Sequence, residues 1–172
     1  IIEVDETFTL AMSNLVTTQA PIASIDITEG AQGTIEDNDN AIVTIGNETV
    51  NESAGTVTFT ATLDKAVQGG FTVDVVYTDD SAEGSNVDYD SALDQLTFAG
   101  SAGETQTFSV AINNENLVEA TETFNLAMSN LVPVTAPAGS IDVSDTAIGT
   151  IDDDDTATVS ISAITDAAEA GT

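Results

Sequence analysis

The sequence has no cysteine, which excludes disulfides, zinc–thiolate sites and thiol nucleophiles. It has no histidine, which removes histidine-based triads and the usual zinc and copper ligands. It has no tryptophan, the residue that sugar-binding platforms most often present to solvent. Positive charge is almost absent: Lys65 is the one basic residue against 30 acidic ones, for a net charge of −29. Ordinary nucleic-acid binding is therefore excluded, because it needs Lys and Arg to displace counterions. Docking on an anionic membrane surface is disfavoured for the same reason. No apolar run approaches the roughly 18 residues of a membrane-spanning helix, so membrane insertion is not expected. The first residue is Ile, and no signal-like segment follows it. The expectation is a piece cut from a longer chain.

Hydrophobic residues nevertheless make up 41% of the chain, too many for a disordered acidic tail. A packed core under a very acidic surface suits divalent cations, high salt, or both. The chain also repeats itself. Residues 1–45 align with residues 117–161 without a gap, and 25 of the 45 positions are identical, so one fold recurs at an offset of 116. The block from Glu6-Thr7-Phe8 to Leu15-Val16 returns as Glu122-Thr123-Phe124 to Leu131-Val132. A period of this length is the size of an independent domain and not of a solenoid repeat. Residues 1–40 read as the tail of one unit, 41–155 as a complete unit, and 156–172 as the start of a third. Thr158-Val159-Ser160-Ile161 echoes Ile42-Val43-Thr44-Ile45, and Ala170-Gly171-Thr172 echoes Ala54-Gly55-Thr56. Almost no linker separates the units.

Inside the complete unit the hydrophobic period is two. Val57, Phe59, Ala61 and Leu63 alternate with threonines, and Phe71, Val73, Val75 and Tyr77 form a second such row. Leu96 with Phe98, Phe108 with Val110 and Ile112, Phe124 with Leu126 and Met128, Ile141 with Val143, and then Ile151 continue the pattern. Turn residues punctuate it at Gly69-Gly70, Glu83–Asn86, Gly100–Gly103 and Asn113-Asn114. Seven or eight short strands in such a unit predict an all-β, two-sheet antiparallel immunoglobulin-like sandwich, repeated in tandem, with the alternating apolar residues as its core.

The acids gather where loops are expected. Glu52 precedes the first long strand, Asp79 and Asp80 follow the strand ending at Tyr77, and Glu115, Glu119 and Glu122 surround a bend after Ile112. Asp152, Asp153, Asp154 and Asp155 close the unit, where neighbouring carboxylates about 4 Å apart repel by roughly 1 kcal/mol in water and several times that at a protein surface. The loops after Tyr77 and after Ile112 are separated by two strands, so both can lie at one end of an antiparallel sandwich. Calcium takes six to eight oxygen ligands on adaptable loops. A solvated surface charge remains the default for most of the 30 acids. For Lys65, a surface ion pair with Asp64 is favoured over an isopeptide crosslink.

These residues resemble the Calx-beta domain. The resemblance rests on Asn51-Glu52-Ser53-Ala54-Gly55-Thr56, Tyr77-Thr78-Asp79-Asp80, Asp88-Tyr89, Leu96-Thr97-Phe98, Gly103-Glu104-Thr105, Glu119–Phe124 and Gly149–Asp154, in that order. It implies calcium, with ligands at Glu52, Asp80, Glu115, Glu119, Glu122, Asp152, Asp153 and Asp154, and at the backbone carbonyl of Leu117. It implies a structural role for Asp88, bonding loop backbone beside Tyr89. Where exchanger-type members carry an aspartate pair, this chain has Asn114-Glu115, which makes the site one charge poorer. Equivalents in the first fragment are Glu3, Glu6, Glu36, Asp37 and Asn38, while Glu169 falls one residue out of register with Glu52. The expected function is non-enzymatic: a calcium-binding repeat in the stalk of an extracellular or cell-surface bacterial adhesin. Its partners would be calcium ions and the neighbouring repeats. A regulatory calcium sensor of a membrane protein and a carbohydrate-binding accessory module of a secreted enzyme are the alternatives. Catalysis is the weakest reading, because general acid–base work needs a carboxyl in an apolar pocket and not acids crowded together.

Overall fold

The computed structural model describes residues 1–19 and 21–163, with only the backbone of Ala23. The echo at Ala170–Thr172 and the out-of-register Glu169 lie outside the described residues. Eleven strands occur among those described: β1 (Glu6–Ala11), β2 (Gly30–Ile35), β3 (Ala41–Ile45), β4 (Glu48–Asn51), β5 (Thr56–Leu63), β6 (Phe71–Asp79), β7 (Asp94–Phe98), β8 (Thr105–Ala111), β9 (Glu122–Pro133), β10 (Ile141–Asp142) and β11 (Thr146–Asp152).

Strands β3 to β11 form the sandwich. One sheet has the order β10-β3-β5-β8 and the other β4-β11-β9-β6-β7. Two pairings depart from the expected antiparallel pattern: β10 runs parallel to β3, and β11 parallel to β4. The cause is that the first strand of the unit is split. It leaves one sheet at Ile45, passes Gly46-Asn47, and joins the other sheet at Glu48. A single strand crossing between sheets can thus border the closing strands on both sides of the core. The Asn47 side chain holds the crossing by accepting from the Ile148 amide at 2.8 Å.

The predicted rows of apolar residues face inward. Val57, Phe59, Ala61 and Leu63 of β5 are buried, as are Phe71, Val73 and Val75 of β6 and Phe124, Leu126 and Met128 of β9. Aromatic rings meet within and between the sheets. Phe59 stacks on its β8 neighbour Phe108 with centroids 5.5 Å apart and meets Phe124 of the other sheet edge-on at 6.2 Å. Tyr89, carried by the β6–β7 loop, stacks on Phe124 at 4.1 Å. Each such pair adds about 0.5–1.5 kcal/mol beyond its buried area.

Strands β1 and β2 form a separate antiparallel pair and reproduce β9 and β11. Glu6 pairs with Ile35 and Phe8 with Gly33, as Glu122 pairs with Ile151 and Phe124 with Gly149. Asn14 and Asn130 both take left-handed backbone, at φ 54° and 49°. Among the described residues the pair has no further strands to pack on, and Phe8, Leu10 and Met12 are exposed where Phe124, Leu126 and Met128 are buried.

Lys65 departs from expectation. Asp64 accepts instead from the Ile42 amide at 2.6 Å, and Lys65 makes no ion pair among the described residues. Gly149 shows how closely the core is fitted: a methyl group there would overlap the Phe124 ring, as one at Gly33 would overlap Phe8. Gly149→Ala is expected to destabilise the fold by about 1–3 kcal/mol in denaturant unfolding, the usual cost of overpacking. Unchanged stability would show that the ring moves aside freely.

Candidate metal centre

Strand directions bring four segments to one tip of the sandwich. β4 and β11 run parallel and both end there, β6 and β8 end there, and β9 starts there. β4 ends in a one-turn 3-10 helix, Glu52–Ala54, whose first residue turns into the sandwich tip. Asn51 caps that turn by accepting from the Ser53 amide, and Gly55 closes it at φ 71°. Tyr89 anchors the β6–β7 loop on Phe124, which lies two residues from Glu122 and so draws Asp88 to the start of β9. Asn113 ties the β8–β9 segment to the same loop by donating to the Val87 carbonyl at 2.7 Å.

The result is a cleft lined by Glu52, Asp88, Glu115, Glu119, Glu122 and Asp153, with Asn113, Ala120 and Ile151 completing it. Carboxylate oxygens fall into two groups. Those of Glu52, Asp154 and Asp155 lie within 4.8 Å of one another, and so do those of Asp88, Glu119 and Glu122. Main-chain contacts hold part of this in place: Asp153 accepts from the Glu119 amide at 3.1 Å and from the Asp155 amide at 3.1 Å. The preceding fragment repeats both bonds, Glu3 amide to Asp37 at 2.9 Å and Asp39 amide to Asp37 at 3.2 Å.

Glu52 is the unusual member. It is 4% exposed and is the one buried charged residue among those described. Its Oε1 has no hydrogen-bond partner, and neither has the buried Oδ2 of Asp155. A buried carboxylate without a partner costs several kcal/mol unless it is protonated or meets a cation. No basic side chain lines the cleft. The donors are all hard oxygens, the set that suits Ca²⁺ or Mg²⁺ and not soft metals.

The electrostatics follow. Burial, then Glu115 and Asp153, raise the Glu52 pKa above the usual carboxylate range. Burial, reinforced by Asp88 and Glu119, pushes Glu122 up to about 7. A hydrogen bond with Glu115 raises Glu119, and burial beside Asp153 and Asp154 raises Asp155.

The residues singled out from the sequence are distributed unevenly. Glu52, Glu115, Glu119, Glu122 and Asp153 line the cleft, and Asp154 borders Glu52. Asp80 does not line it; its carboxylate accepts from the Thr123 hydroxyl at 2.7 Å. Asp152 does not line it either and accepts from the Thr121 hydroxyl at 2.9 Å. Strand alternation explains this, because Ile151 points inward and Asp152 therefore points away. Leu117 is exposed in the β8–β9 segment, and its carbonyl makes no hydrogen bond among the described residues. Sequence reasoning named Asp155 only within the acidic run that closes the unit, not among the ligands, and did not place Asp88 in the cleft. Asp88 also has its expected structural contact, accepting from the Glu83 amide at 2.6 Å. Its signal was the adjacent Tyr89, whose burial fixes where Asp88 must lie.

The raised values set a pH dependence. A carboxyl with a folded pKa above its unfolded one holds its proton more tightly in the fold, so ionisation penalises the folded state. In chelator, stability is expected to fall as pH rises from about 4.5 to about 7, the span between the ordinary Glu value and that of Glu122. Glu122→Gln should flatten part of that fall. Denaturant midpoints measured across this range, if flat in both chains, would contradict the crowding.

A family model described as the Calx-beta domain matches residues 36–155. A search of curated protein sequences returned no match. Among solved structures, the apo form of the Calx CBD1 domain superposes with a TM-score of 0.58 at 20% identity, covering 68% of this chain and 100% of that one. The tandem CBD12 from CALX1.2 gives 0.56 at 20% identity over 66% of this chain. The calcium binding domain CBD12 of CALX1.1 gives 0.54, also at 20% identity and over 66% of this chain. This chain spans 46% of each of those tandem proteins, about half their length. These likenesses establish the fold. With the family model covering more than half of its residues, the chain belongs to the Calx-beta domain family.

Proposed function

We propose that the tip binds Ca²⁺ and that the chain is a run of calcium-stiffened repeats from the stalk of an extracellular bacterial adhesin. The observation that carries the calcium reading is Glu52, buried with an unpartnered oxygen among acids and no cation in reach. A doubly charged ion shared by these oxygens converts mutual repulsion into attraction. The two oxygen groups, Glu52 with Asp154 and Asp155, and Asp88 with Glu119 and Glu122, supply the donors, and Glu115 and Asp153 stand close enough to raise members of both. One of the structural relatives is itself described as a calcium binding domain. Ca²⁺ is favoured over Mg²⁺ because an irregular, many-oxygen site suits the larger ion, and Mg²⁺ gives up its water reluctantly.

The stalk reading rests on the tandem arrangement. The acids ending one unit abut the first strand of the next, with Asp39 followed within two residues by β3. An ion at the tip would lie at the junction and restrict it. A regulatory sensor needs graded affinity and a transport partner, and gains little from near-identical copies.

Calorimetric titration of the chain with Ca²⁺ is expected to give a saturable heat, with Mg²⁺ weaker. Glu52→Gln should weaken calcium binding by roughly tenfold or more, since affinity in such sites follows ligand charge. Calcium at about 100 times its Kd should stabilise the fold by about 2.7 kcal/mol. Absence of calcium heat at millimolar concentration would overturn the metal reading. Identical small-angle scattering of a multi-repeat chain in calcium and in chelator would overturn the stiffening.

A further inference from the structure

The junction between the first two units is built on a single side chain. Ile2 belongs to the preceding unit, yet it is 0% exposed and packs into the core of the following one. Its backbone forms a parallel bridge with Val67 in the β5–β6 loop. The Ile2 amide donates to the Ala66 carbonyl at 2.8 Å, and the Ile2 carbonyl accepts from the Gln68 amide at 2.8 Å. The receiving groove is held from within its own unit. Val67, 2% exposed, donates to the Gly100 carbonyl at 2.9 Å, and its carbonyl accepts from Gly70 at 3.2 Å. This loop joins the end of β5 to the start of β6, at the opposite end of the sandwich from the acidic tip.

The repeat offset places Val118 where Ile2 stands, and Leu117 where Ile1 stands. The two tips form a matched comparison. Ile1 and Leu117 are almost equally exposed, at 57% and 58%. The second residue differs: Ile2 is covered completely, whereas Val118 is 50% exposed. The Val118 main chain makes no hydrogen bond among the described residues, although the neighbouring Glu119 amide is anchored on Asp153 as Glu3 is on Asp37. The tip is thus formed alike in both copies, and only the copy facing a following sandwich has its apolar residue buried.

We propose that Val118 is the docking residue of the complete unit, and that it seats in the loop of the next copy of this fold at the positions corresponding to Ala66–Gln68. The occupant is a further repeat in the same chain, not a foreign protein, because the groove it fits is the one already filled by Ile2. Successive units then associate tip to base through a buried aliphatic side chain and two main-chain hydrogen bonds. This deepens the stalk reading and rests on it, but it does not require the ion.

The test uses a chain in which residues 1–156 are followed, in the natural register, by a second copy of residues 41–155. Val118→Asp should increase the undocked fraction of the second junction by roughly tenfold or more, since burying an aliphatic side chain changes such an equilibrium by at least that factor. Limited proteolysis after Asp155 and the scattering-derived maximum dimension read it. Val118→Ile, which copies the existing plug, should leave the junction as compact as before or tighten it. Leu93→Asp, an equally drastic change at an exposed residue, should leave it unchanged. A Val118→Asp chain as compact and as resistant as its parent would overturn the proposal. Calcium calorimetry on the same chains reads the metal separately: absence of heat in the parent chain counts against the ion alone, and loosening of the Val118→Asp chain with full heat supports the plug.

Discussion

The arrangement at the tip is governed by charge repulsion inside a partly dry cleft. Six carboxylates line it, and one, on Glu52, is buried with an oxygen that touches no donor. Water screens such repulsion only where it has access, and burial of Glu52 denies it that access. Relaxation is also blocked. Asp88 is tied down by Tyr89 stacked on Phe124, Glu122 by the β9–β11 ladder, and Asp153 by the Glu119 and Asp155 amides. The acids are held by the same core and ladder contacts that define the sandwich. They can lower their energy by keeping protons, as the raised Glu122 shows, or by sharing a cation.

Those contacts also explain why a β-sandwich supports this arrangement. A strand that crosses between sheets at Gly46-Asn47 brings the end of β4 beside the end of β11, which places Glu52 next to the closing aspartates. An unsplit first strand would have left Glu52 on one sheet and Asp154 on the other. The parallel pairing that the strand pattern did not reveal is therefore the feature that makes the cleft.

Much of the fold could be read directly because it follows a local rule. Val57, Phe59, Ala61 and Leu63 alternate, and alternation decides which face is buried whatever the partner strand. The acids followed no such rule. Asp152 and Asp155 look alike in the sequence, but Ile151 is committed to the core, so Asp152 turns outward to Thr121 while Asp155 reaches Glu52. Asp80 sits at the correct end yet bonds Thr123, a preference set by the β6–β9 register and invisible in a run of residues. Asp88 stands 34 residues from Glu122 in the chain, and their meeting depends on where Tyr89 finds a ring to stack on. Sites assembled across loops depend on tertiary contacts, and composition alone reports only that acids are plentiful.

The proposed ion and the proposed docking residue would act on one segment. Val118 lies between Glu115, which lines the cleft, and Glu119, which is anchored to Asp153. This stretch between β8 and β9 has no strand or helix of its own, so ordering it costs backbone entropy of about 1–2 kcal/mol per residue fixed. A cation gripping Glu115 and Glu119 meets that cost on one side of Val118, and a following repeat accepting Val118 meets it on the other. Each event would leave less disorder for the second to remove, so under the proposed reading calcium at the tip would favour docking and docking would favour calcium. The coupling needs no conformational switch in the sandwich. It would follow from placing an apolar residue between two acids on a loop without regular structure, and the same order, Ile2 beside Glu3, recurs in the preceding unit.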